Sequence, residues 1–169
     1  MTRFGYFICT YSAVLGIAFA AVFPPVPRFI WNASASVPTG LYALRPASDI
    51  QDADLVLVRP PPPLAVFMAK RRYLPIGVPM IKHIAAKPGQ TVCRNGSHVT
   101  VDGAPFGDAL AHDRRGRPLP VWQGCVRLPA GQVFLMNPAS RDSFDGRYLG
   151  ALPATVVIAR AIPVWTQRP

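Results

Sequence analysis

The chain of 169 residues has a formal net charge of +10, and half of its residues are apolar. This length accommodates one domain of ordinary size with one appendage, and the apolar fraction excludes an intrinsically disordered chain. All eight acidic residues are Asp, which excludes the metallopeptidase and calcium-binding motifs that require Glu.

The chain begins with an uncharged apolar run at residues 4–27. A helix over roughly 20 of these residues would reach about 30 Å, the thickness of the hydrocarbon layer of a membrane. Pro24 and Pro25 would end such a helix sharply. We therefore expect residues 1–27 to be an N-terminal membrane anchor. A cleaved signal peptide, with Ala18-Phe19-Ala20 as its cleavage site, and a buried core helix remain the alternatives.

The charges beside the apolar run predict its orientation. Arg3 and the free amino terminus precede the run, whereas Arg28 follows it. The positive-inside rule then places the N-terminus in the cytoplasm and residues 28–169 outside. We expect a single-pass protein of the bacterial inner membrane with a periplasmic domain.

Residues 28–169 carry mostly strand signals. Asn95-Gly96 is a strong hairpin signal, and Asp102-Gly103 follows it as a second turn. One short helix is expected at Leu64–Tyr73, bounded by prolines, and a polar surface loop at His112–Pro120. The expected strands are Asp54–Arg59, Thr91–Arg94, His98–Val101, Gln132–Met136 and Thr155–Trp165. The predicted fold is mainly β, with a single N-terminal transmembrane helix followed by an antiparallel β-rich domain with one short helix.

Two of the three cysteines, Cys93 and Cys125, lie in the exported part. An oxidising compartment permits a bridge between them, although two buried thiols are an alternative. We expect no metal and no other cofactor, because the chain has no Cys-x-x-Cys pair and its three His are scattered.

Two residues suggest a chemical site. Ser36 lies in the segment NASASVPTGLY, where Pro38 and Gly40 predict an exposed turn. Lys82 lies in PMIKHIAAKPG, and on a strand it would face the same way as Met80 and Ile84. An amine pressed against apolar surface must reach out to water or lose its proton. A lysine that merely reaches water, and a serine that only shapes a turn, are the ordinary interpretations of such residues.

Three separated blocks of the chain, in order, resemble the type I signal peptidase superfamily. They are SASVPTGLY, PMIKHIAAKPGQTV and DSFDGRYLG, which lie behind the membrane span. The spacing Ser-x-Pro-x-Gly-x-Tyr and the sequence RRYLPIGVPMIK are similar to the conjugative-transfer, TraF-like branch, whose peptidases mature pilin subunits. The resemblance implies a signal-peptidase-like catalytic domain over residues 28–169.

The resemblance also implies roles for individual residues. Ser36 would be the nucleophile and Lys82 the general base of a Ser/Lys dyad. Ser34 matches the residue whose hydroxyl assists the oxyanion hole, and Ser143 matches the serine that holds the lysine amine. Asp145 and Arg147 match a supporting ion pair. The chain departs from ordinary signal peptidases at Asn137-Pro138-Ala139-Ser140, where those enzymes have a Gly-Asp-Asn-Arg run.

The expected function is that of a membrane-anchored serine endopeptidase that processes exported precursor proteins, above all a pilin subunit of a conjugative transfer system. The expected partners are the precursor substrate and the lipid bilayer. The basic charge suits anionic lipid headgroups better than nucleic acid, which we do not expect as a partner. A general type I signal peptidase that acts on many preproteins is the first alternative. A non-catalytic anchored β-domain of a pilus assembly machine is the second.

Overall fold

The computed structural model describes residues 2–22, 27–48 and 50–167. Its first element is helix α1 (Arg3–Val22), whose 20 residues would span about 30 Å. No residue of this described helix is buried, and its length and composition are sufficient to cross a membrane. The apolar run therefore forms the predicted helix and is not a core helix of the domain. Pro24 and Pro25 lie outside the described residues.

After α1 the described part of the chain is built mainly of strands. Two helices, α2 (Pro62–Lys70) and α3 (Gly146–Leu149), and a 3₁₀ turn at Ala154–Val156 lie among them. The strands are β1 (Phe29–Asn32), β2 (Thr39–Arg45), β3 (Leu55–Val58), β4 (Met80–Ala86), β5 (Thr91–Asn95), β6 (His98–Val101), β7 (Ala104–Asp108), β8 (Gly124–Arg127), β9 (Gln132–Met136), β10 (Leu152–Pro153) and β11 (Val157–Gln167). Their pairings are antiparallel, which confirms the predicted mainly β fold.

The larger sheet positions both segments that carry the candidate residues. Its strand order is β1-β2-β11-β3-β4-β9-β10. The serine-bearing turn connects β1 to β2, and Lys82 lies on β4 opposite Val56 of β3. Met80 and Ile84, the predicted same-face neighbours of Lys82, pack in one apolar cluster with Val56. The strand prediction for Lys82 is therefore confirmed.

The smaller sheet has the order β7-β6-β5-β8 and includes the predicted hairpin. Cys93 on β5 faces Cys125 on β8, and the two form a disulfide. Val92 and Val99 of this sheet pack with Phe134 of β9 in a shared cluster, which joins the two sheets. Burial of apolar surface on this scale is the main term that stabilises such a domain.

Several elements differ from the prediction. Helix α2 lies two to three residues nearer the N-terminus than the predicted 64–73, and α3 is an additional one-turn helix. Strands β1, β2, β7, β8 and β10 were not among the expected strands. Strands β7 and β8 contain Gly or Pro, which weakens a strand signal, and β8 is exposed along its whole length. The segment 112–118 is more than a surface loop, since His112 and Pro118 form an isolated β-bridge.

Candidate active site

The turn that carries Ser36 is organised by a buried asparagine that the sequence analysis did not single out. Asn32 ends β1, and its Nδ2 donates to the carbonyls of Ser34, Val37 and Pro38 at 2.9, 3.2 and 3.0 Å. The Asn32 Oδ1 accepts from both the N–H and the hydroxyl of Ser34, at 3.1 and 2.8 Å. One side chain therefore satisfies much of the polar backbone of the turn.

The same turn holds Ser34 and Ser36 side by side. Their hydroxyl oxygens are 3.3 Å apart, and Ser36 is only partly exposed. Gly40 follows with a φ of 142°, and a Cβ at this position would collide with the carbonyl oxygen of Trp165. Only glycine allows β2 to approach β11 this closely, so the Gly in the motif has a steric reason.

Lys82 is buried at the wall of a cavity. It is 3% exposed, and its Nζ donates a 2.6 Å hydrogen bond to Ser143 Oγ. Burial lowers the pKa of the Lys82 amine from 10.5 to about 8, while the charge of Asp145 acts to raise it and that of Arg147 to lower it. The amine is therefore close to losing its proton near neutral pH, as a general base requires.

Asn137 fixes the strand on both sides of Lys82. Its Oδ1 accepts from the backbone N–H of His83 at 3.0 Å, and its Nδ2 donates to the carbonyl of Ile81 at 3.2 Å. The backbone N–H of Asn137 donates to Asp145 at 3.0 Å. Asn137, which departs from the pattern of ordinary signal peptidases, is thus hydrogen-bonded both to β4, the strand that carries Lys82, and to Asp145.

Asp145 and Arg147 form a buried ion pair behind the lysine. Two parallel bonds of 2.9 Å join the guanidinium to the carboxylate. Arg147 also donates to the carbonyls of Ser140 and Ser143, at 2.6 and 3.3 Å. Burial acts to lower the pKa of Arg147, but the hydrogen bond to Asp145 and the charge of Asp145, with smaller contributions from Tyr148 and Asp142, together outweigh burial and raise the pKa. The pair therefore stays charged and holds the segment that carries Ser143.

One cavity of about 430 Å³ brings together four of the six predicted residues, Ser34, Ser36, Lys82 and Ser143. Asp145 and Arg147 lie behind its wall. The hydroxyl of Ser36 is within hydrogen-bond distance of Ser34, and the amine of Lys82 bonds to Ser143. Apolar side chains such as Met68 and Met80 form part of the lining. A carbonyl bound here would meet the Ser36 hydroxyl and the Lys82 amine in one cavity.

No group of three or more His, Cys or Asp side chains is arranged to hold a metal ion in the part of the chain that the structure describes.

Comparison with known proteins identifies the family. Residues 1–166 match the family model described as "Signal peptidase, peptidase S26". The chain is 37% identical over 151 residues to a "Probable conjugal transfer protein TraF" from Sinorhizobium fredii, covering 82% of this chain and 77% of that protein. It is 34% identical over 146 residues to a "Plasmid transfer protein TraF" from Escherichia coli, covering 80% and 81%.

A signal peptidase I structure from Enterococcus faecalis V583 overlaps 67% of this chain and 97% of its own, with a TM-score of 0.40 and 15% identity, too low to add to the argument. The match to the family model over nearly the whole chain and the two relatives confirm the resemblance found in the motifs. The chain belongs to the signal peptidase family, peptidase S26.

Proposed function

We propose that this chain is a membrane-anchored serine endopeptidase in which Ser36 is the nucleophile and Lys82 the general base. The observation that carries the proposal is the buried Lys82 amine in the same cavity as Ser36. With a pKa of about 8 for this amine, about one molecule in ten has a neutral Lys82 at pH 7. An unperturbed lysine would be neutral about 300 times less often.

The reaction follows from these groups. Neutral Lys82 takes the proton of the Ser36 hydroxyl as the oxygen attacks the scissile carbonyl carbon. The resulting oxyanion accepts hydrogen bonds from the Ser36 backbone N–H and from the Ser34 hydroxyl, which turns from Asn32 Oδ1 to donate here. These two bonds stabilise the transition state by roughly 3 kcal/mol. Protonated Lys82 then gives the proton to the leaving amine, and the C–N bond breaks to leave an acyl-enzyme. A water molecule, deprotonated by Lys82, attacks the ester and releases the product.

The remaining residues keep the base in position. Ser143 accepts the hydrogen bond that orients the Lys82 amine, and this bond can pass to Ser36 when substrate closes the cavity. Asp145 and Arg147 hold the backbone that carries Ser143. In this account these three residues position Lys82 and do not touch the substrate.

The substrate we propose is an exported precursor, most specifically a pilin subunit of a conjugative transfer system. The names of the two relatives, which are conjugal or plasmid transfer proteins, support this choice. The family as a whole is described as signal peptidases, so general removal of signal peptides is the second candidate. A non-catalytic pilus component would have no use for a lysine whose charged form the fold disfavours.

We also propose that α1 anchors the chain in the bacterial inner membrane, with the domain in the periplasm. The rings of Trp31 and Trp165, on β1 and β11 of the larger sheet, contact each other at a tilt of 36° with centroids 5.7 Å apart, and both are more than half exposed. Trp side chains are enriched at membrane–water interfaces, which supports a position of this sheet edge near the bilayer. Arg28 lies next to β1, where it can meet anionic headgroups.

The test is processing by the full chain in cells. Ser36→Ala should abolish cleavage of the pilin precursor while the protein remains folded and in the membrane fraction. Ser97→Ala, in an exposed turn of the smaller sheet, is the matched control and should cleave normally. A generic exported preprotein tested in parallel decides between the two substrate classes. A reporter fused after Pro169 that works only in its periplasmic form would support the orientation, and one that works only in the cytoplasm would reverse it.

A further inference from the structure

Part of the wall of the catalytic cavity is strongly basic. It is made of two segments, the end of α2 and the loop 112–118. Five arginines of these segments line the cavity that contains Ser36 and Lys82. We call them the arginine wall, and they are Arg71, Arg72, Arg114, Arg115 and Arg117. Two aspartates, Asp113 and Asp142, line the same region.

The two aspartates do not neutralise this wall. Asp113 pairs with Arg117 at 2.7 Å, and Asp142 accepts from Arg114 Nε at 3.0 Å. The guanidinium groups of Arg72 and Arg115 have no hydrogen-bond or ion-pair partner among residues 2–22, 27–48 and 50–167. Arg71 donates only to the uncharged oxygens of Tyr73 and Pro118. Three of the five guanidinium groups in the cavity lining therefore have no carboxylate partner among the described residues.

The loop of the arginine wall is held in place before any ligand binds. The carboxylate of Asp113 accepts from the backbone N–H groups of Arg115 and Arg117, both at 2.9 Å, and from the hydroxyl of Tyr73 at 2.6 Å. Burial acts to raise the pKa of Asp113, but these hydrogen bonds outweigh it and keep the pKa well below its usual range. These bonds fix the loop to the end of α2 and so fix the backbone from which the Arg115 side chain extends.

Arg72 occupies a position where glycine is the usual residue. The N–H of Tyr73 donates to Met68 at 2.9 Å and the N–H of Arg72 donates to Ala69 at 3.0 Å, which is the hydrogen-bond pattern of a Schellman motif. In this motif Arg72 has a φ of 58°, in the left-handed region that costs backbone free energy for a residue with a Cβ. Arg72→Gly would therefore remove the side chain and relieve the backbone at the same time.

We propose that Arg72 and Arg115 bind a carboxylate of the substrate near the scissile bond, so that the enzyme selects a peptide with Asp, Glu or a free C-terminus there. The inference rests on the proposed peptidase function and adds to it a preference for an acidic substrate segment. Guanidinium groups bind carboxylates through paired, charge-assisted hydrogen bonds. A peptide is favoured over a lipid headgroup because the unpaired arginines line the concave cavity that holds Ser36, next to apolar side chains such as Leu74.

The experiment measures binding and cleavage separately. The full-length Ser36→Ala chain in neutral detergent is titrated with four labelled, alanine-rich peptides. These carry either Asp or Asn beside the central alanines and end in either a free carboxylate or an amide. We expect the peptides that carry Asp, a free carboxylate or both to bind about tenfold more tightly than the peptide with Asn and an amide. This difference in affinity should become smaller as salt is added. The Asp-amide and Asn-carboxylate peptides identify which carboxylate is recognised.

The variants separate binding from folding. Arg72→Gly should remove most of the preference without lowering the melting temperature, because glycine relieves the left-handed backbone. Arg115→Ala should also weaken the preference for acidic peptides. Arg59 is exposed and lies outside the cavity lining, so Arg59→Ala should leave that preference unchanged. Equal binding of all four peptides, or an equal loss in Arg59→Ala, would overturn the proposal. The proposal would also be overturned if Arg72→Gly and Arg115→Ala bound phosphatidylglycerol vesicles less tightly than the parent chain but bound all four peptides as the parent chain does.

The wild-type chain then tests the two proposals independently. Cleavage of the Asp and Asn peptides at equal rates would contradict the carboxylate site and leave the peptidase proposal intact. Selective binding of acidic peptides with no cleavage of any peptide or precursor would contradict the peptidase proposal alone.

Discussion

Burial of Lys82 should make the protein less stable than a variant without this amine at neutral pH. The pKa falls from 10.5 to about 8, and each pKa unit corresponds to about 1.4 kcal/mol, so keeping the amine charged in the fold costs roughly 3 kcal/mol below pH 8. Lys82→Met keeps the length of the side chain but leaves the buried Ser143 hydroxyl without this partner, which costs about 1–3 kcal/mol. We therefore expect Lys82→Met to raise the free energy of unfolding by roughly 1 kcal/mol at pH 7.

The pH dependence of this difference identifies its cause. Between about pH 8 and 10.5 the unfolded lysine still binds a proton that the folded protein has lost, so wild-type stability rises with pH and the advantage of Lys82→Met disappears. Unfolding in guanidinium chloride, followed by tryptophan fluorescence with the disulfide intact, measures the free energy of unfolding of the wild type and of Lys82→Met at each pH. Lys87→Met is the control, because its amine is solvent-accessible and lies 3.4 Å from Asp52. If Lys82→Met were no more stable than the wild type at pH 7, with a difference independent of pH, the desolvation argument would fail.

Three further substitutions test the turn that carries the nucleophile. Ser34→Ala removes one oxyanion donor and should lower kcat by about 10²–10³ in a peptide cleavage assay. It also removes the hydrogen bond to Asn32 and should lower the free energy of unfolding by about 1 kcal/mol; an unchanged kcat would remove Ser34 from the site. Asn32→Ala leaves buried carbonyls without donors and should lower the free energy of unfolding by roughly 2–3 kcal/mol in a denaturant titration, so a smaller change than about 1 kcal/mol would contradict its role. Gly40→Ala should cost roughly 3 kcal/mol more than Gly77→Ala, measured in the same way, because both have positive φ but only Gly40 lies against Trp165; equal losses would exclude the close approach.

The sequence predicts those elements whose signals are local. The uncharged run at the N-terminus, the Asn95-Gly96 turn and the apolar strand around Lys82 each specify their structure over a few residues, and the structure contains all three. The sequence allows either a disulfide or two buried thiols. The register of β5 and β8 places Cys93 opposite Cys125, and the two form the disulfide.

The features that sequence analysis missed depend on distant contacts. Helix α3 has only four residues and forms because Asp145 caps it and Arg147 is buried among carbonyls of other segments. In the sequence Asn32 is an ordinary polar residue, and its importance follows only from its burial in the folded chain. The loop 112–118 reads as a solvated surface, and its place in the cavity wall follows from hydrogen bonds that join Asp113 to Tyr73, 40 residues earlier in the chain.

The most direct test of the Ser/Lys mechanism is the pH–rate profile of cleavage, measured for the wild type and for Lys82→Arg. The mechanism predicts that kcat/KM of the wild type rises with pH through an apparent pKa near 8, because only the neutral amine can accept the Ser36 proton. Lys82→Arg should be inactive throughout, since a guanidinium keeps its proton at every workable pH. Processing retained by Lys82→Arg, with a rate independent of pH, would contradict the mechanism even if Ser36 proved essential.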